Sequence, residues 1–89
     1  MIAHVIISGF VQGVGYRQFV KKEASELSLK GWVKNIDRGR VEALFKGKKE
    51  QAEKMIKLCR KGPFLAEVKD VKVEREDKNI DFNNFEIIV

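Results

Sequence analysis

The chain holds one cysteine, one proline, one histidine and one tryptophan in 89 residues. With Cys59 as its only thiol it can build neither an intrachain disulfide nor a cysteine metal cluster, and a cytoplasmic setting is the default expectation. His4 has no second histidine, cysteine or aspartate beside it, so neither a metal site nor a histidine-centred acid–base pair is indicated. No stretch approaches the roughly 20 apolar residues of a membrane span. The opening Met1-Ile2-Ala3-His4-Val5-Ile6-Ile7 has no basic leader, and Gly9 interrupts its apolar run, so it reads as a strand and not as a secretion signal. Repeats, linkers and low-complexity tracts are absent as well. The length suits one domain over residues 1–89, with a modest core and no deep substrate chamber. Any chemistry belongs in a surface loop or a shallow cleft.

Lysine and arginine outnumber aspartate and glutamate by 18 to 13, a net charge of +5. That raises the local concentration of anions without choosing among them. The cations alternate with acids, as in Lys21-Lys22-Glu23 and Lys48-Lys49-Glu50, and no continuous basic stripe is present.

Ile2 to Phe10, β-branched and aromatic, reads as a strand, although its alternation is too imperfect to assign faces. Tyr16, Phe19, Val20, Ala24 and Leu27 then recur at helical steps, with Lys21, Lys22, Glu23 and Glu26 on the other side. Trp32 to Ile36 and Arg40 to Phe45 form short strands around the turn Asp37-Arg38-Gly39. A second helix runs from about Lys49 to Arg60, with Ala52, Met55, Ile56 and Cys59 as its apolar stripe and Gly62-Pro63 as its stop. Val68 to Val73 is a further strand, and Phe85 to Val89 a short last one. The order β-α-β-β-α-β predicts an α+β fold, the ferredoxin-like split βαβ sandwich with two helices on one face of an antiparallel sheet.

The stretch from Ser8 to Phe19 carries the chemistry. A strand enters a glycine-containing loop that feeds directly into a helix, yet no Ser, Thr, Asp or Asn lies between Gly9 and Phe19 to cap it. The first helical N–H groups therefore lack a side-chain acceptor and favour an anion. Gly13 and Gly15 let successive N–H groups converge, and Arg17 adds a planar fork of donors suited to phosphate oxygens. The pattern is neither a dinucleotide fingerprint nor a nucleoside-triphosphate loop.

Gly9-x-Val11-Gln12-Gly13-Val14-Gly15-Tyr16-Arg17 resembles the first signature of the acylphosphatase family. Gly31-Trp32-Val33-Lys34-Asn35 resembles the second, followed by Gly39-Arg40-Val41-Glu42. Gly47, Gly62-Pro63, Ala66-x-Val68 and Phe85-x-Ile87 follow in order, so the resemblance covers essentially the whole chain. It implies hydrolysis of small acyl phosphates to a carboxylate and inorganic phosphate, without metal or organic cofactor. It also implies a phosphate-binding loop of Gln12, Gly13, Val14, Gly15, Tyr16 and Arg17, with Arg17 and Asn35 as catalytic residues and Asn35 holding the attacking water.

Three positions depart from the family pattern. Ser28 stands where glycine is common, Tyr16 where phenylalanine is frequent, and Arg38 where an acid commonly precedes the turn glycine. Cys59, on an apolar stripe, reads as a packed thiol. A small RNA- or protein-binding module on the same fold is the alternative. Nucleic acid is disfavoured because Gly39-Arg40-Val41-Glu42-Ala43 lacks the base-stacking aromatics of the RNA-binding signature and adds an acid.

Overall fold

The computed structural model describes residues Met1–Val89. Its elements are β1 (Ile2–Phe10), α1 (Tyr16–Glu26), β2 (Lys30–Asn35), β3 (Val41–Lys46), α2 (Lys49–Lys61), β4 (Glu67–Glu76) and β5 (Phe85–Ile88). The strands form one sheet in the order β4-β1-β3-β2-β5. Because β3 pairs antiparallel with both β1 and β2, those two strands run in the same direction with β3 between them. This is the split βαβ arrangement of the expected ferredoxin-like sandwich. Helix α1 packs over β2 and β5, and α2 over β4 and β1.

Strands β2, β3 and β5 keep within two residues of the expected bounds, with β2 starting at Lys30 and ending at Asn35, before Ile36; two larger features differ from the sequence expectation. Strand β4 extends well beyond Val68–Val73, because it pairs with the whole of β1 from Ile2↔Glu76 to Phe10↔Glu67. The sheet is also not antiparallel throughout, since β5 pairs parallel with β2 from Gly31↔Phe85 to Lys34↔Ile88. The cause is the path of residues 77–84. They cross from β4 at one edge to β5 at the other, past the end of the sheet where β1 and β2 begin. Lys46 Nζ lies 3.0 Å from Asp81 Oδ1 along that crossing.

The helical stripes meet the inner face of the sheet. Tyr16, Val20 and Ala24 of α1 and Ala52, Met55, Ile56 and Cys59 of α2 are buried against Val5, Ile7, Val33, Val41, Ala43 and Phe45. Phe45 stacks on Phe85 with ring centroids 5.5 Å apart, which ties β5 to the centre of the sheet. Burying each Val, Ile or Met side chain of this set stabilises the fold by about 1.5–3 kcal/mol. Strand β1 alternates after all, with Ala3, Val5 and Ile7 inward. Its pattern is blurred in the sequence because the outward positions include the apolar Ile2 and Ile6. Beyond Ser8, strand β4 carries one extra residue, Lys69, between the partners of Ser8 and Gly9. Its backbone crowds Gly9 so closely that a Cβ there would sit 2.2 Å from the Glu67 carbonyl oxygen. Only glycine fits such an approach.

Helix α1 ends at Ser28 in a left-handed conformation, φ 58°. The Leu29 N–H donates to the Ala24 carbonyl and the Ser28 N–H to the Ser25 carbonyl, at 2.9 and 3.1 Å. These are the paired bonds of a Schellman motif, which glycine adopts without strain. Left-handed backbone costs a non-glycine residue roughly 1–2 kcal/mol, and glycine's extra freedom in the unfolded chain returns about 0.5–1 kcal/mol of that difference. Ser28→Gly is therefore expected to raise the unfolding free energy by about 0.5–1 kcal/mol. A urea denaturation midpoint at or below that of the unmodified chain would show that the serine carries no strain.

Candidate active site

Residues 11–15 leave the end of β1 and enter α1 through two left-handed glycines, Gly13 at φ 73° and Gly15 at φ 78°. Gly15 is itself the N-cap residue, and no side chain bonds the helix start. The first bond of the helix runs from the Phe19 N–H to the Gly15 carbonyl. The amides of Tyr16, Arg17 and Gln18 thus precede the helical ladder. Residues Gln12 to Gly15 donate none of their N–H groups to another backbone carbonyl either. Open space surrounds both glycine Cα atoms on the side where a Cβ would stand. The result is a set of free donors at the positive end of a helix dipole with no acid in its first turn, a geometry suited to an anion.

The end of β2 faces this loop. Asn35 is the last residue of β2, opposite Val41 of β3. Asp37-Arg38-Gly39-Arg40 then turns tightly, with φ 61° at Arg38 and 71° at Gly39, as a type I′ turn requires. Arg40 is held to Asp37 by a 2.8 Å ion pair, so its charge is spent within the hairpin. Arg17 has no carboxylate within ion-pair distance, unlike the cations of the other six Lys/Arg and His pairs away from the turn. Arg17 as a whole is half-buried, and its guanidinium has no carboxylate partner to displace when an anion arrives.

Between loop and strand lies a cleft of about 210 Å³. Gly13, Gly15, Tyr16, Arg17 and Asn35 line it together, so the two halves of the expected site meet in one place. Gln12 and Val14 do not line it. The Gln12 carboxamide turns away to the hairpin, donating to the carbonyls of Ile36 and Arg40, each at 2.9 Å. Val14 packs on the margin of the core. Tyr16 lines the cleft while its buried hydroxyl donates to the Cys59 carbonyl at 2.7 Å. The sequence reading missed three lining residues, Val11, Gln18 and Ile87. Ile87 belonged to a quoted landmark, but its place in the wall depends on the parallel pairing of β5 with β2.

A family model described as Acylphosphatase matches residues 3–87. The chain belongs to the acylphosphatase family. It is 47% identical over 75 residues to the acylphosphatase of Moorella thermoacetica, covering 84% of this chain and 81% of that relative. To the acylphosphatase of Pelotomaculum thermopropionicum it is 42% identical over 85 residues, covering 96% and 92%. The crystal structure of acylphosphatase from Bacillus subtilis superposes with a TM-score of 0.95 at 36% identity, covering all of both chains. Its activity is the hydrolysis of acyl phosphates.

The other reactive groups of the chain lie outside the cleft. His4, on the open face of the sheet, has its Nε2 2.6 Å from Glu42 Oε2 and meets the Trp32 ring edge-on. Lys34 Nζ lies 3.6 Å from Glu42 and 5.2 Å from the centre of that ring. This cluster stands on the side of the sheet away from both helices, and its charges compensate one another. No group of three His, Cys, Asp or Glu side chains converges anywhere in the chain. No helix is long and apolar enough to cross a membrane.

Burial pushes the Cys59 thiol up to about 12 and lifts the Tyr16 phenol above its usual range. Both groups stay protonated at neutral pH, which suits a packed thiol and a permanent hydroxyl donor. In the folded protein Cys59 is expected to resist a disulfide reagent at about pH 8, and to react once urea exposes it. Rapid labelling of the native chain would contradict that burial. Tyr16→Phe is expected to lower the unfolding free energy by about 1 kcal/mol, because the Cys59 carbonyl loses its donor inside the core. Equal stability of the two chains in urea would assign that bond no net value.

Proposed function

We propose that Arg17 and the free N–H groups of the Gly13–Gln18 segment bind the phosphoryl group of an acyl phosphate, and that Asn35 holds the attacking water. The observation that carries this reading is the shared cleft. An unpaired guanidinium, the uncapped start of a helix and a carboxamide at the end of β2 face one small volume. A phosphoryl dianion entering it meets donors on its equatorial oxygens, and no carboxylate repels it.

The reaction adds water across the bond between phosphorus and the bridging acyl oxygen and yields a carboxylate and inorganic phosphate. Water attacks phosphorus opposite the departing carboxylate oxygen, which leaves with the electron pair of the broken bond. A carboxylate is a good leaving group and needs little protonation. Catalysis then consists mainly of alignment and of stabilising charge on the phosphoryl oxygens. The Asn35 carboxamide accepts from or donates to the water but is too weak a base to ionise it. The proton passes to a phosphoryl oxygen of the substrate. The cleft has room for little more than the phosphoryl group and the start of the acyl chain, so the remainder of the substrate projects into solvent. Small-molecule acyl phosphates are accordingly the substrate class, and discrimination among acyl groups is expected to be weak.

Hydrolysis of benzoyl phosphate in the presence of a chelator tests these roles. Arg17→Ala is expected to raise both KM and the inhibition constant of inorganic phosphate, and to lower kcat by on the order of a hundredfold or more. Asn35→Ala is expected to lower kcat on the same scale and leave KM nearly unchanged, as a transition-state contact should. Near-normal turnover by either folded variant would remove that residue from its role.

A further inference from the structure

The turn after Asn35 closes in an incomplete way. Ile36 donates its N–H to the Arg40 carbonyl at 2.9 Å, but Arg40 turns its own N–H to Asp37 at 3.3 Å. The reciprocal bond of a hairpin is therefore missing, and the Ile36 carbonyl has no backbone donor. The Gln12 carboxamide supplies one. Its Nε2 carries two N–H groups, and both are used at 2.9 Å, one on the Ile36 carbonyl and one on the Arg40 carbonyl. Two carbonyl acceptors admit only the amide nitrogen at that point, so the orientation of the side chain is set by its partners. These bonds join positions 24 and 28 residues apart in the chain. They connect the loop that bears the free amides to the residue immediately after Asn35. No other side-chain hydrogen bond links residues 11–18 to the β2–β3 turn.

We infer that Gln12 is a positioning residue, whose carboxamide sets the distance between the phosphate-binding loop and Asn35. Its side chain does not line the cleft. It acts by bracing the hairpin, so that the Asn35 carboxamide and the donors around Arg17 keep one relative placement while the substrate reacts. The inference rests on the water-positioning role proposed above for Asn35. A displacement of about 1 Å in such an alignment costs on the order of a hundredfold in rate. Without the brace the hairpin end is held by the Ile36–Arg40 bond, the Arg40–Asp37 contacts and the strand ladder below it, none of which reaches the loop.

Gln12→Met tests the idea, because methionine matches glutamine in length and volume and has no donor for either carbonyl. Hydrolysis of benzoyl phosphate is compared for the unmodified chain, Gln12→Met, Asn35→Ala and the double variant. The inhibition constant of inorganic phosphate is measured for each. In the single variant kcat is expected to fall by on the order of tenfold or more. The phosphate inhibition constant should stay nearly unchanged, because the loop itself keeps its amides and Arg17. In the Asn35→Ala background the same substitution is expected to change kcat by less than about twofold, since the group it positions is gone. A purely structural role would lower stability and move kcat equally in both backgrounds, and that result would overturn the inference. A parallel rise in the phosphate inhibition constant would overturn it too, by showing that Gln12 shapes the loop alone. Full activity of Asn35→Ala would instead remove the underlying reading, and the inference with it, and the single variant alone reveals that case. If Gln12→Met does not fold, Gln12→Leu serves the same comparison without adding charge beside the loop. Its side chain carries no donor for the two carbonyls and releases the hairpin.

Discussion

Tyr16 occupies the seam between the two helices. Its ring is buried at the first position of α1, and its hydroxyl donates to the carbonyl of Cys59 in the last turn of α2. The final carbonyls of a helix have no intrahelical partner, so this bond satisfies a group that would otherwise be orphaned inside the protein. It also fixes where α1 begins. Arg17 and Gly15 adjoin Tyr16 in the chain and inherit its position. A guanidinium mounted on an anchored helix start loses little freedom when an anion arrives. Burial keeps the phenol protonated, so the anchor does not titrate across the physiological range.

Around that anchor the two ends of the molecule follow different rules. Helix α2 also lacks a side-chain cap, but its charges follow the helix dipole, with Glu50 in its first turn, Arg60 and Lys61 in its last, and Arg75 paired bidentate with Glu53 on its flank. The start of α1 has no such charge compensation. It has no side-chain cap, no acid in the first turn, two left-handed glycines and an arginine without a carboxylate. Each departure leaves a donor or a charge unsatisfied in the isolated protein and available to a phosphate. The rigid sheet and its helices hold these groups in place. The free energy of the core offsets a terminus that is poorly capped for stability and well arranged for an anion.

Legibility in the sequence followed the physics of each element. The stripe Ala52, Met55, Ile56 and Cys59 was readable because helical periodicity is local. The left-handed end of α1 was foreshadowed by a serine standing where glycine is common. The phosphate loop stood out through an absence, that of any capping side chain between Gly9 and Phe19. Strand β1 concealed its faces because Ile2 and Ile6 put apolar groups on the outer side. Strand β5 was visible as a strand, but not in its direction, because a segment of four residues carries no signal of which neighbour it will join. Gln12 was read as part of the phosphate loop. Nothing in its neighbours announces that its side chain serves a hairpin more than twenty residues away.

The sequence by itself determined the element order, the helical stripes, the anion-binding character of the loop and membership of a family through two spaced signatures. All of these depend on residues adjacent in the chain or repeated at a local period. Tertiary structure alone decided that β5 lies parallel to β2 and lends Ile87 to the cleft. It also decided that Tyr16 faces Cys59, and that the Gln12 carboxamide joins the loop to the hairpin. Those outcomes depend on which strand ends are brought together when two βαβ units share one core. Such contacts link positions far apart in the chain, and only the packing of the whole sheet selects them.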